Sequence, residues 1–115
     1  MPKGKLIVCG NFEWWDEKDE ANIRKHKDAA NVGISFRDIL PVFSDPYFFE
    51  IYDAKHSDNG QDRYIGLGYV EKSGLSVVQV VDTEQGRTHI ISARPATSQE
   101  RKMYYERLRE IYSEM

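Results

Sequence analysis

The sequence has little to offer covalent or metal chemistry. Its single cysteine, Cys9, leaves no partner for an intramolecular disulfide. No Cys-x-x-Cys or His-Glu-x-x-His spacing supplies metal ligands, and neither a Walker loop nor a dinucleotide fingerprint is present. Long apolar runs are also missing. None reaches 18 residues, so no transmembrane helix is expected. The apolar piece at residues 6–9 is too short for the core of a signal peptide. A cytoplasmic protein without a membrane role is the expectation. The net charge of −3, from 16 cations and 19 acids, lacks the basic excess of a dedicated nucleic-acid binder.

What is there suits a small folded domain. The 115 residues are 40% hydrophobic and 12% aromatic, which predicts one globular domain over residues 1–115 with a core of its own. Residues 5–9 read as a short strand, stopped by Gly10-Asn11. Asp16 reads as the N-cap of a helix reaching about residue 26, with acids in its first turn and Arg24, Lys25 and His26 in its last, the order a helix dipole favours. Trp14 and Trp15, just before it, read as structural anchors. Ser35 caps a second helix, with Ile34 and Ile39 as a hydrophobic staple; Pro41 predicts that it is short or kinked.

The rest reads as sheet closed by a helix. Strands are expected over residues 47–52, 63–70, 75–82 and 88–93, with hairpin turns at 71–74 and 84–86. Gly66 and Gly68 fall on one strand face and predict a close approach to the backbone. Pro95 ends the last strand. Thr97 and Glu100 then form a capping box for a helix over about 98–112, with Tyr104, Leu108 and Ile111 as its core stripe. The predicted fold is α+β: a mainly antiparallel sheet of four to five strands, with helices packed on one face in two layers.

Charge is uneven along the chain. From Arg87 to Arg109 there are six cations against two acids, a local balance of +4 that suits a phosphate. Arg94 stands at the junction of strand and turn. Arg63 opens a strand just after a polar loop, residues 53–62, that contains His56. Strand alternation puts His89 and Ile91 on one face and Ile90, Ser92 and Arg94 on the other. His89 and Arg94 are therefore expected to point apart unless a bulge intervenes.

An ordered set of short motifs carries a resemblance. It runs from Phe12-Glu13-Trp14-Trp15-Asp16, Lys18, Asn22 and Lys25-His26 through Gly33-Ile34-Ser35-Phe36 and Val42-Phe43-Ser44-Asp45-Pro46. It continues with Asp53, His56-Ser57, Arg63 and Ile65-Gly66. It ends with Thr83-Glu84, Ile90-Ile91-Ser92-Ala93-Arg94, Ala96-Thr97, Glu100-Arg101 and Tyr104 or Tyr105. Over residues 12–105 this pattern resembles the BrnT family of bacterial toxins, small RelE-like ribonucleases of type II toxin–antitoxin systems. Four features depart from that pattern: an apparent insertion at residues 27–32, His89 in place of a common Arg, Asp82 in place of a frequent Tyr, and the extension at 6–9.

The resemblance implies a metal-independent endoribonuclease with no cofactor that arrests growth. It also implies a ribbon-helix-helix antitoxin similar to BrnA, in a complex of two toxins and two antitoxins that reaches operator DNA through the antitoxin. For such chemistry Arg94 and Arg63 are the candidates to stabilise phosphate charge, and His89 and His56 to move protons. Lys25, His26 and Arg101 are candidates for RNA binding. The competing reading, motivated by His89, Asp82 and the acidic net charge, is a catalytically weak module that binds a ribbon-helix-helix protein and acts as co-repressor.

Overall fold

The computed structural model describes residues 4–57 and 61–113. Among these the chain forms a six-stranded sheet in the order β1-β2-β6-β5-β4-β3. The strands are β1 (Leu6–Cys9), β2 (Phe12–Trp15), β3 (Phe49–Tyr52), β4 (Arg63–Val70), β5 (Gly74–Asp82) and β6 (Thr88–Pro95). The helices are α1 (Asp16–Lys25), a single turn α2 (Phe36–Ile39) running into a 3-10 segment at Leu40–Ser44, and α3 (Ser98–Ser113). Residues 58–60 of the polar loop lie outside the described residues.

The α+β class stands, with two corrections to the predicted architecture. The sheet is mixed and has one strand more than expected. The addition is β2, which pairs antiparallel with β1 and parallel with β6 through Phe12↔Thr88 and Glu13↔His89. Helices also lie on both faces, because β5 is buried on both. Val78 and Val80 face a core with Trp14, Phe36, Ile39, Val42 and Ile90, beneath α1 and α2. Val77 and Leu75 face the other way, against Leu67 and the α3 residues Tyr104 and Leu108. A strand that reads as a nearly continuous apolar run is what two-sided burial requires.

Local signals set most boundaries. Ser35 Oγ accepts from the Asp38 N–H at 3.1 Å, while the Asp38 carboxylate turns to Lys72 Nζ at 2.7 Å rather than back to complete a capping box. Pro41 falls in the first turn of the 3-10 segment, and the helix is short there as expected. Asp16 does not cap α1: Trp15 holds that position with no side-chain bond, and Asp16 Oδ1 accepts from the Lys5 N–H at 2.9 Å, tying β1 to the helix start. Gly66 and Gly68 do allow a close approach. A Cβ on Gly66 would come within 2.5 Å of the Phe48 ring, and one on Gly68 within 2.7 Å of Val42.

One buried polar side chain joins the layers. Asn22 of α1 donates to the carbonyls of Ile34 and Ala93, each at 2.9 Å, and accepts from the Ala93 N–H at 3.1 Å. It satisfies the edge of β6 where β2 no longer pairs with it, and so fixes the end of α1, with His26, beside the last residues of β6. A buried side chain with three bonds of this kind costs roughly 1–3 kcal/mol when its partners are left unpaired.

Candidate active site

The geometry of the site depends on an irregularity in β6. Gln79 pairs with Ser92 and Val80 with Ile90, so Ile91 has no partner across the ladder. A β-bulge of this kind adds one residue to one strand and resets its alternation. Ile90 and Ala93 then both enter the α1/α2 core. His89 and Arg94 both fall on the opposite face, with Val77 and Val81 as their partners across the ladder. The expectation that they point apart is corrected: the bulge puts them on one side of the sheet.

That side carries a polar strip that continues the face on which α3 lies. At its centre is a hollow of about 200 Å³ lined by Asp53, His56, Ile65, Val77, Gln79, Ser92 and Arg94. The capping box predicted at the start of α3 forms, with Glu100 N–H to Thr97 Oγ1 at 3.2 Å and Thr97 N–H to Glu100 Oε1 at 2.8 Å. The same carboxylate receives Arg94 through both terminal nitrogens, at 2.7 and 2.9 Å. Hydrogen bonding from Arg94 outweighs the burial of Glu100 and holds its carboxyl down to about 2. Arg94 is thus a fully charged, doubly anchored guanidinium at the edge of the hollow.

His56 stands across from it. Its Nδ1 lies 2.8 Å from Asp53 Oδ2, and Gln79 Nε2 donates to that oxygen at 3.0 Å. Asp53 is buried. Burial pushes its carboxyl up, but the hydrogen bonds from His56 and Gln79 win and hold it below the usual range. An ionised carboxylate only accepts, so the proton sits on Nδ1 and the Nε2 of a neutral His56 is left as an acceptor. The loop base is pinned as well: Asp53 N–H donates to the Arg63 carbonyl at 2.9 Å, and Ser57 Oγ accepts from Arg63 N–H at 2.8 Å.

The other candidates take different places. Arg63, at the start of β4, lies on the strand face of Ile65, which lines the hollow; among the described residues its buried Nε has no hydrogen-bond partner. His89 Nδ1 lies 2.6 Å from Glu13 Oε2, and Arg87 Nε donates to Glu13 Oε1 at 2.9 Å. Burial raises the Glu13 carboxyl, and His89 and Arg87 together bring it below its ordinary value. His26 is half-buried at the end of α1. Burial, then the charge of Arg94, then that of Lys25, lower its pKa and so favour the neutral imidazole. Lys25 is exposed beside it. Arg101 does not line the Arg94 hollow; it borders a separate groove with Tyr105 and Pro95.

Sequence reasoning missed Glu13, Gln79 and the orienting role of Asp53. Glu13 and Gln79 take their roles from strand pairing across the sheet, which no local motif marks, whereas Asp53 lies only three residues before His56, a spacing that could have suggested the pair. Among the described residues no group of three or more His, Cys, Asp or Glu side chains is placed to hold a metal ion.

Two guanidinium groups and two carboxylate-bound imidazoles thus share one face of the sheet in a small α+β protein. The model of the ribonuclease toxin BrnT of type II toxin–antitoxin systems matches residues 14–100, more than half of the chain. The chain belongs to that family. No curated protein matches it.

Proposed function

We propose that this chain, acting as one toxin domain, is a metal-independent endoribonuclease that needs no cofactor and cuts RNA by attack of the ribose 2′-hydroxyl on the adjacent phosphate. The observation that carries the reading is the meeting of Arg94 and His56 at one hollow, with Asp53 and Gln79 orienting the imidazole. His56 Nε2 takes the 2′-hydroxyl proton as the oxygen attacks phosphorus. The phosphorus–oxygen bond to the 5′ side of the next ribose breaks, leaving a 2′,3′-cyclic phosphate. The departing 5′-oxygen takes a proton from the histidinium or from water. Arg94 and Arg63 meet the charge that grows on the phosphoryl oxygens. The charge of exposed Lys25 draws in the strand, and His26, near Arg94, offers it a hydrogen bond.

The natural partner in this reading is a BrnA-like ribbon-helix-helix antitoxin, joined in a two-to-two complex that reaches operator DNA through the antitoxin. The place of action is the cytoplasm; no described helix is long and apolar enough to cross a membrane.

The test is purified protein with RNA in excess chelator. Cleavage to products ending in cyclic phosphate is expected; intact RNA at high enzyme concentration, with the fold confirmed, removes the proposal. One observation favours the co-repressor reading: Glu100 already occupies both terminal nitrogens of Arg94. Growth decides between the two. Expression without the antitoxin should arrest cells, and Arg94→Ala should relieve the arrest; unimpaired growth with wild-type protein favours the co-repressor.

A further inference from the structure

Next to the Arg94 hollow lies a roomier groove that the cleavage chemistry leaves unused. It has a volume of about 430 Å³ and is bordered by Lys27, Tyr69, Leu75, Pro95, Arg101 and Tyr105. The two sites are neighbours along β5 and β6. Leu75 and Val77 lie two residues apart on β5, roughly 7 Å along the strand, and Pro95 directly follows Arg94. We infer that this groove holds the nucleotides flanking the cut bond, with Tyr69 and Tyr105 stacking on bases and Arg101 and Lys27 meeting backbone phosphates. The inference rests on the ribonuclease reading for its substrate class.

Of the exposed tyrosines, Tyr69 and Tyr105 border this groove. Tyr69 is 51% exposed and Tyr105 44%. Both rest on rigid supports that converge on one carboxylate. Asp45 Oδ2 accepts from the Tyr69 N–H at 2.7 Å and from the Tyr104 hydroxyl at 2.6 Å. Tyr104 is buried, and the Tyr105 ring stands edge-on to it, with centroids 5.4 Å apart at 90°. Ordered aromatic faces lose little freedom when a base stacks on them, and cations beside them follow the backbone, as single-strand binding requires. The charge around the groove is right for RNA. Arg101 and Lys27 face one carboxylate, Asp28, whose Oδ1 is already engaged by the N–H groups of Ala30 and Val32. Lys27 Nζ is steadied by the Ile23 carbonyl at 2.9 Å, which leaves its charge uncancelled. The wall at 27–29 belongs to the turn closed by the Lys27↔Gly33 bridge.

The test measures binding apart from cleavage. The probe is a fluorescent dodecamer of 2′-O-methyl RNA with randomised sequence, which cannot be cut by 2′-hydroxyl attack. Tyr105→Ala and Tyr69→Ala should each weaken binding by about 5- to 100-fold, and Tyr105→Phe should bind like wild type because the ring remains. Arg101→Ala should weaken binding and flatten its salt dependence. Binding of a 2′-O-methyl dinucleotide should not change in any of these variants. Alanine variants that melt like wild type and hold the dodecamer within twofold of wild type overturn the inference. So does loss of antitoxin binding with RNA binding intact, which would make the groove a protein interface. Tyrosine-dependent binding by a protein that never cuts RNA keeps the groove and removes the ribonuclease reading; full cleavage of long RNA by both alanine variants does the reverse.

Discussion

Two histidine–carboxylate pairs sit on the same face of the sheet, built from the same chemistry, and they differ in what surrounds them. His56 meets Asp53 at 2.8 Å, and His89 meets Glu13 at 2.6 Å. The His56 side chain is 50% exposed, and its carboxylate is shared with a neutral partner, Gln79. The His89 side chain is 15% exposed, and its carboxylate is shared with the cation Arg87. Glu13 and His89 also stand opposite each other in the two-pair seam where β2 runs parallel to β6. So short a seam gains little from its own ladder, and a buried ion cluster across it acts as a fastener. Exposure and the third partner thus separate an imidazole that can reach RNA from one that holds two strands together.

The largest difference should appear in the rate. His56→Ala is expected to lower single-turnover cleavage by about 10²- to 10⁴-fold, the usual worth of a positioned acid–base group. Its melting temperature should stay near that of wild type, since the imidazole is half in solvent. A mild loss in His56→Ala beside a severe one in a fully folded His89→Ala would invert the comparison.

Asp53→Asn comes next. It keeps the shape but lets the imidazole turn or change tautomer, and a misplaced catalytic group of this kind costs about a hundredfold. The expected signature is a fall in kcat with KM unchanged and a displaced pH–rate profile. An unchanged profile would assign Asp53 to holding the loop base through Arg63 and Ser57.

His89→Ala should read out in stability. It leaves the buried Glu13 with Arg87 alone, at a cost of roughly 1–3 kcal/mol for a group left short of partners, measured by denaturant unfolding. Cleavage per folded molecule should fall less than tenfold. A variant that keeps full stability but loses activity would give His89 the proton-moving role that its place in the sequence suggests.

How much of this was legible before the structure follows from how local each signal is. The Thr97–Glu100 capping box, the stop at Pro95 and the short helix at Pro41 each depend on neighbours three or four residues away, and all formed. β2 has only four residues, directly precedes α1, and is completed by strands on either side of it, so nothing in Phe12–Trp15 announces it. The bulge at Ile91 is invisible in a run of Ile-Ile-Ser-Ala, because an extra residue is defined only against the partner strand. That one residue decided whether His89 and Arg94 share a face. The placement of α3 opposite α1 was also beyond local reading: its stripe shows that it packs, and the two-sided burial of β5 shows where. The candidate list was therefore better than its geometry. Arg94 and His56 came together at the hollow, Arg63 fell on the strand face of Ile65 beside it, and Arg101 went to the neighbouring groove. Of the groups that orient the histidines, Asp53 was local while Gln79 and Glu13 came from distant strands.

Acid offers the gentlest probe of the same comparison. Glu100 ordinarily titrates near 4.5 and is held at about 2 beside Arg94. A carboxylate with a lowered folded pKa binds its proton less readily in the folded chain than in the unfolded one. Its stabilisation is therefore complete above about 4.5 and is lost as pH falls through that value toward 2. Asp53 and Glu13, also held low, act in the same direction. Melting temperatures followed from pH 7 down to 2.5 should decline below 4.5, and Glu100→Gln should remove much of the decline. Of what remains, Glu13→Gln should remove more than Asp53→Asn, because Glu13 loses Arg87 as well as a histidine, whereas Asp53 gives up a histidine and a neutral amide. Equal contributions from the two would mean that both clusters fasten the sheet alike, and the distinction between a working imidazole and a structural one would then rest on exposure alone.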